Sequence, residues 1–533
     1  MTKNIASTNW GPFTAVGTGG TYNSWQENGV SGDWLLSASN YVAAKMPMAI
    51  TFPLNSLASA DSYAKNAYTG VRWNIPIIIQ GGAWPFKYEI VSNGGATGLT
   101  IGAELDRTID GLTGRTLHKV GADYGVLSLP SPSAGAYSIT VRVTDQELNT
   151  IDVPISLTVG TAKWLFVDPV GGNDSTGTGA IGAPFKTIGK IHGDSNLTTT
   201  YSGYRVYLRA GTTPLDGMAT NNNNYNATGT NNPVQFIGYP GESVVLEAYE
   251  GWFNLSAADD FYLGDLTYQY AAAYSPGGGT VPIYMVNSFS GSDRSSYFNV
   301  DFKDFKGNPF NSGSGNTSIL YIAGGGTLNT GVSHCSLSGQ TGTFIDWYAT
   351  DYSVVEHLDI SNVTTGTDDG SSRAIMFLKD SPDHVTLRDC NIWDSISWTE
   401  TNNYGGIGIY GQAGATNVEI AYCTLLAPFA SGRAGAIYNW GNNSEAGLIE
   451  NIYLYRNSVK ERFYWEGGTS YTNFAAGEEV HESNVLDTGA MPSNVQISSS
   501  GNVDSATYFD ASMLLTGASR TNYLGTKGAE VAE

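Results

Sequence analysis

The chain has 533 residues, with 26 Lys or Arg against 48 Asp or Glu and a formal net charge of −22. That balance excludes nucleic acid as a partner, since phosphate binding needs a basic face, and it works against anionic membrane. Only 14% of residues are charged, while 66 are Gly and 32 are Tyr, a composition of many turns and short strands without long amphipathic helices. No run of eighteen apolar residues occurs, so no membrane insertion is expected. The opening MTKNIASTNWGPF has no apolar stretch after its Lys, so no signal peptide is expected.

Residues 1–70 show no repeat. Trp10, Trp25 and Trp34 lie among Gly, Ser and Asn, and a docking element is one reading of this region. Residues 71–160 read as a β-sandwich. Ile75 to Ile79 form a buried strand candidate, followed by the segment Trp84 to Ile90. Further on, Tyr137, Ile139, Val141 and Val143 alternate with polar residues, Asp145 turns, and Val153, Ile155, Leu157 and Val159 alternate again. Two half-buried strands in a hairpin follow from that pattern. The run GAYSITVRVTDQELNTIDVPISLTVG resembles the last two strands of bacterial and phage immunoglobulin-like domains, and GLTIG with TIDGLTG resembles their middle. The resemblance implies a spacer or adhesion module and no chemistry.

Residues 161–490 carry a repeat with inward-type residues at offsets 0, 2, 5 and 7. Phe261, Leu263, Leu266 and Tyr268 form one set; Val385, Leu387, Cys390 and Ile392 another; Val418, Ile420, Cys423 and Leu425 a third; Ile452, Leu454, Asn457 and Val459 a fourth. Partial copies sit at Val332, Cys335 and Leu337, at Val355, Leu358 and Ile360, and at Val480, Ser483 and Val485. From Cys335 onward the third slot advances by 23, 32, 33, 34 and 26 residues. An irregular period built only of strand-type pieces signals an all-β solenoid in which loops of different length leave one stack. All three cysteines fall in the third slot, which predicts small apolar core residues with free thiols. Residues 491–533 lose the repeat and read as a cap or subunit-joining segment.

The opening of this region matches a known pattern in Val167-Asp168-Pro169, Gly172-Asn173-Asp174, Pro184-Phe185-Lys186-Thr187-Ile188 and Leu208-Arg209-Ala210-Gly211. Here the chain resembles the pectate-lyase-like right-handed parallel β-helix family. That family includes polysaccharide lyases, glycoside hydrolases and phage tailspikes. With the preceding module and no export signal, the resemblance is closest to tailspikes. It implies recognition of bacterial surface polysaccharide, attachment to other virion proteins, homotrimer assembly, and a place on the virion surface or outside the cell after lysis. Whether the chain is an enzyme stays open, the alternative being a non-enzymatic spike, fibre or decoration protein.

Polysaccharide cleavage needs paired carboxylates, or a base with charge neutralisation beside a uronate. Asp346 lies on a strand that precedes one repeat. Asp368 and Asp369 open the loop before the next, which also carries Arg373 and Lys379. These five are the candidate catalytic residues, with Glu466 next in line; Asp-Asp-Gly is equally an ordinary turn. No cofactor is required; calcium held by these acids is an alternative without a supporting ligand spacing. Trp347, Tyr410, Tyr438, Trp440 and Tyr464 recur near one end of the preceding strands and are the candidate sugar-stacking residues, core packing being the other reading. His334 and His357 are expected to be neighbours on adjacent coils, as packed side chains rather than a metal pair.

Overall fold

The structure is a computed structural model. It describes residues 42–54, 59–102, 123–192, 200–215, 235–248, 253–255, 259–270, 284–288, 293–304, 318–341, 343–365, 376–379, 381–393, 406–410, 415–425, 437–440, 449–459, 463–466, 479–482, 485–486, 497–500 and 503–504. Among the described residues no helix is long and apolar enough to cross a membrane.

From Trp164 onward the described strands form one continuous parallel sheet, as a parallel β-helix requires. Its rungs stack in three ladders. The first begins with Trp164–Val167, Arg205–Leu208 and Gln235–Gly238, and continues through the first halves of Tyr262–Tyr270 and Ser296–Lys303 to Ile449–Tyr455 and beyond. The second stacks Gly211–Pro214 on Val244–Ala248, then runs through the second halves of those strands to Thr424–Leu425 and Ser458–Val459. The third runs from Phe253–Asn254 through Tyr284–Ser288, Ser318–Leu328 and the start of Thr343–Thr365, then Met376–Lys379, Ile407–Tyr410, Ile437–Trp440 and Phe463–Glu466.

The 0, 2, 5, 7 spacing has a backbone cause. The residue just before the third slot takes a left-handed conformation on seven described coils: Asp265, Asn299, His334, His357, Asp389, Tyr422 and Arg456 all have φ between 51° and 57°. One such residue turns the chain from the first ladder to the second and skips one step of the alternation. A second column of left-handed residues, Asp260, Arg294, Asn329, Tyr352, His384, Asn417 and Asn451, precedes the first slot and turns the chain out of the third ladder. Asn and Asp tolerate this conformation best, and the bulkier members are held there by their neighbours.

The inward slots are buried as expected. The third slot holds Leu266, Cys335, Leu358, Cys390, Cys423 and Asn457 within one apolar core. Asn457 is satisfied there, accepting from the Cys423 amide and donating to the Ile420 carbonyl. One coil escaped the repeat. Tyr297, Val300 and Phe302 pair with Leu263, Leu266 and Tyr268 and are buried, but Ser295 occupies the first slot and masks the match. The final copy is also out by one residue. Leu454 pairs with His481 rather than Val480, and Val485 pairs with Ser458 rather than Val459. A one-residue slip reverses the facing of every side chain on a strand.

At the first coil, Asp174 accepts from the amides of Lys186 and Thr187 and from the Thr187 hydroxyl, while Asp168 accepts from the amides of Val170 and Gly171. These bonds fix the loops that close the start of the stack.

The β-sandwich has a four-stranded sheet ordered Asn66–Tyr68, Thr150–Gly160, Gly135–Thr144, Lys87–Ser92, and a three-stranded sheet ordered Trp73–Pro76, Val126–Leu129, Thr100–Ile101. The predicted hairpin forms, with Ile139 opposite Ile155 and Val141 opposite Val153. Asp145 caps its turn, accepting from the amides of Glu147 and Asn149. The single strand expected over Ile75 to Ile79 is two strands. Trp73–Pro76 pairs with Val126–Leu129, whereas Ile78–Gln80 pairs with Ala49–Phe52. Strands at 49–52 and 66–68 therefore join this unit from upstream of residue 71.

The sandwich packs on the flank of the β-helix and shares a core with it. Phe166, Tyr207, Ile237, Phe298 and Val354, on the outward face of the first ladder, cluster with Trp73, Ile78 and Trp84 of the sandwich. At Gly331 an added Cβ would lie 2.6 Å from the Ile78 side chain, so glycine permits the close approach. This ladder is covered on both faces, so its early rungs WLFV and RVYL are buried at every position.

Candidate functional site

The third ladder carries most of the residues singled out for chemistry. Ile345, Trp347, Met376, Leu378, Ile407 and Ile409 are buried in the solenoid core. Alternate positions therefore fall into two backbone columns, two residues apart on each strand and both out of phase with those core residues. One runs Tyr321, Asp346, Phe377, Gly408, Tyr438, Tyr464. The other runs Tyr348, Lys379, Tyr410, Trp440, Glu466. Aromatic residues dominate both.

This register corrects one assignment. Trp347 is in phase with Leu378 and Ile409 and has no exposed surface, so it packs the core and cannot stack on a sugar. The five aromatics expected in one stripe are thus divided. Tyr410 and Trp440 share one column, Tyr438 and Tyr464 share the other, and Trp347 belongs to neither. Asp346 is on the column side of the alternation, yet its side chain is 1% exposed. It lies opposite Phe377, one rung from the strand bearing Lys379, and Lys379 itself pairs with Tyr348. Asp368, Asp369 and Arg373 lie outside the described residues, in the segment leading to Met376–Lys379.

At the end of this ladder, where the chain turns toward the first, sits a group that the sequence reading passed over. Asp351 and Asp383 are register partners on adjacent coils, each followed by a left-handed residue, Tyr352 and His384. The two rings stack with centroids 4.8 Å apart, and Tyr352 is 40% exposed. Burial, and then the neighbouring Asp383 charge, push the Asp351 carboxyl above the usual range. For Asp383 burial acts in the same direction, but donation from Thr416, Asn417 and His384 outweighs it and holds the group below its usual value. The two adjacent carboxyls thus sit in different environments, one shifted up by burial and the other down by its hydrogen-bond donors. A polar residue recurring just before the first slot was the available signal.

The buried polar groups on the opposite corner do structural work. Arg388 donates to Glu356 at 2.7 Å and to the carbonyls of Ile79 and Gly81, and its guanidinium lies 4.6 Å from the Phe86 ring centroid. Burial opposes its charge, but Glu356 and Glu419 more than offset that. His334 and His357 do meet, with ring centroids 4.8 Å apart. Nδ1 of His334 lies 2.8 Å from the Ser333 hydroxyl and Nδ1 of His357 lies 2.9 Å from Asp389. Among the described residues no group of three or more His, Cys, Asp or Glu side chains is placed to hold a metal ion.

No protein-family model matches the chain, and no curated protein matches it. Among solved structures it is similar to a rhamnogalacturonan lyase at 12% identity, over 69% of this chain and 100% of that one, with a TM-score of 0.42. It is also similar to the catalytic domain of a GH87 α-1,3-glucanase in complex with nigerose, at 12% identity over 88% and 99% of the two chains, TM-score 0.29. A third is the GH136 lacto-N-biosidase from Eubacterium ramulus, at 9% identity over 64% and 67%, TM-score 0.30.

Proposed function

We propose that the chain binds polysaccharide along the third ladder and cleaves it, in the manner of a tailspike acting on bacterial surface glycan. The carrying observation is the pair of aromatic columns. Tyr410 and Trp440 stand on neighbouring rungs, as do Tyr438 and Tyr464. Rungs about 4.8 Å apart suit a sugar chain, whose apolar C–H faces stack on rings while its hydroxyls meet polar edges. Asp368 or Asp369, which precede Met376–Lys379 in the sequence, supplies the acid or base, with Arg373 and Lys379 nearby in sequence. The test is incubation with capsular polysaccharide from candidate hosts. New reducing ends mark hydrolysis; ultraviolet absorbance of an unsaturated uronide marks elimination. Asp368→Asn or Asp369→Asn lowers turnover by about a hundredfold or more.

The rival reading is an adhesive virion protein without catalysis. The burial of Asp346 favours it, because that carboxyl is withdrawn from solvent on the same columns. Glycan binding without chain shortening selects this reading, and a trimer mass by light scattering supports either form of the tailspike assignment.

A further inference from the structure

Granting the glycan reading, we infer that the polysaccharide bound by the third ladder is uncharged and not a polyuronate. Among the described residues the aromatic columns carry few charges: one base, Lys379, one acid, Glu466, and Asp346, which is buried. Where the ladder ends, Asp351 and Asp383 stand side by side beside the exposed Tyr352 ring. Among the described residues three β-helix arginines are engaged in ion pairs. Arg209 pairs with Glu242, Arg294 with Asp259 and Asp260, and Arg388 with Glu356. The whole chain adds a net charge of −22.

A polyuronate brings a carboxylate on every sugar, spaced more closely than the Debye length of about 8 Å at physiological salt. Its charges therefore act together against an acidic surface. Elimination chemistry also needs a cation or Arg beside the uronate carboxylate, and among the described residues Lys379 is the one cation on these columns. An uncharged glycan escapes both penalties and keeps the full benefit of ring stacking. Its cleavage proceeds by hydrolysis: water adds across the glycosidic bond, the leaving oxygen takes a proton from a carboxylic acid, and a carboxylate acts on water or on the anomeric carbon.

The full chain is tested on a printed array of bacterial surface polysaccharides, neutral and uronate-bearing, at pH 7.5 in about 20 mM and about 500 mM salt, which moves the Debye length from tens of ångströms to a few. The expected result is binding to neutral glycans with little salt dependence, and uronate-bearing signals about tenfold or more weaker at the lower salt. Asp351→Lys combined with Asp383→Lys should raise the uronate signals several-fold at low salt. Preferential binding to uronate glycans at low salt, or no gain in the lysine variant, overturns the inference and leaves the glycan reading standing. A silent array overturns the glycan reading itself.

Discussion

Nη2 of Arg388 donates to the carbonyl of Ile79 at 2.7 Å, joining residues 309 apart in sequence. The same nitrogen donates to Glu356, also at 2.7 Å. The sandwich is therefore fastened to the flank of the β-helix by hydrogen bonds from a buried, ion-paired guanidinium as well as by apolar packing. The two pack as one unit, unlike a spacer joined only by a tether.

Arg388→Met leaves Glu356 as a buried charge without its guanidinium and removes a donor from two carbonyls. Breaking one side of such a pair costs about 3–5 kcal/mol. The urea midpoint should fall accordingly, and protease cleavage between sandwich and helix should accelerate. Combining Arg388→Met with Glu356→Leu should recover much of the loss. A shift under about 0.5 kcal/mol, the range of an ordinary surface substitution, counts against the fastening.

The two Trp residues of the third ladder should separate by phenotype. Trp347 lies in the core with Leu378 and Ile409, so Trp347→Ala should cost about 3–5 kcal/mol of stability. Trp440 pairs with Tyr410 in the aromatic column. Trp440→Ala should preserve the unfolding midpoint and weaken glycan binding by about 1–3 kcal/mol, the scale of ring stacking on an aromatic platform. Thermal melts and binding isotherms on the two variants decide the matter; the opposite pattern would reverse the strand facing.

All three cysteines are buried and free. Burial pushes the Cys335 thiol up to about 12 and raises that of Cys390. The thiolate is the reactive form, so at pH 8 the native chain should titrate no thiols with an aromatic disulfide reagent over an hour. Three should appear in denaturant. An intact mass short by two hydrogens before reduction would reveal a disulfide and refute this.

Burial raises the Asp265 carboxyl from 3.8 to about 6, against the hydrogen bonds donated by Asn299 and Asn74. Because the folded value exceeds the unfolded one, the native chain holds a proton that the unfolded chain releases. The contribution is complete below about pH 4, declines as pH rises to 6, and is absent above that. Asp265→Asn keeps a residue suited to the left-handed backbone and removes the titration. Between pH 4.5 and 7 the parent should lose stability relative to this variant by about 1–3 kcal/mol. Parallel pH profiles would argue that the carboxyl is ordinary.

The stacking of coils was legible in the sequence because inward slots must be apolar on every rung, and Val385, Leu387, Cys390 and Ile392 meet that demand. The hairpin from Tyr137 to Val159 was legible for the same reason, since alternation marks a sheet with one wet face. The coil at Tyr297 was lost to one Ser in the first slot, and the phase at Val480 was lost because weak apolar spacing fits two registers. Trp347 was misplaced for a related reason: aromatics suit both core and sugar, and only the pairing with Leu378 fixes its side.

Local pattern, then, determined the solenoid, its period and the position of its thiols, because each depends on residues close in the chain or repeated along it. The tertiary structure alone decided that the outer face of the first ladder is covered by the sandwich and that Arg388 is buried. It alone brought Asp351 beside Asp383. Those facts depend on which surfaces meet across tens to hundreds of residues, and hydrophobic periodicity carries no information about a partner so distant in sequence.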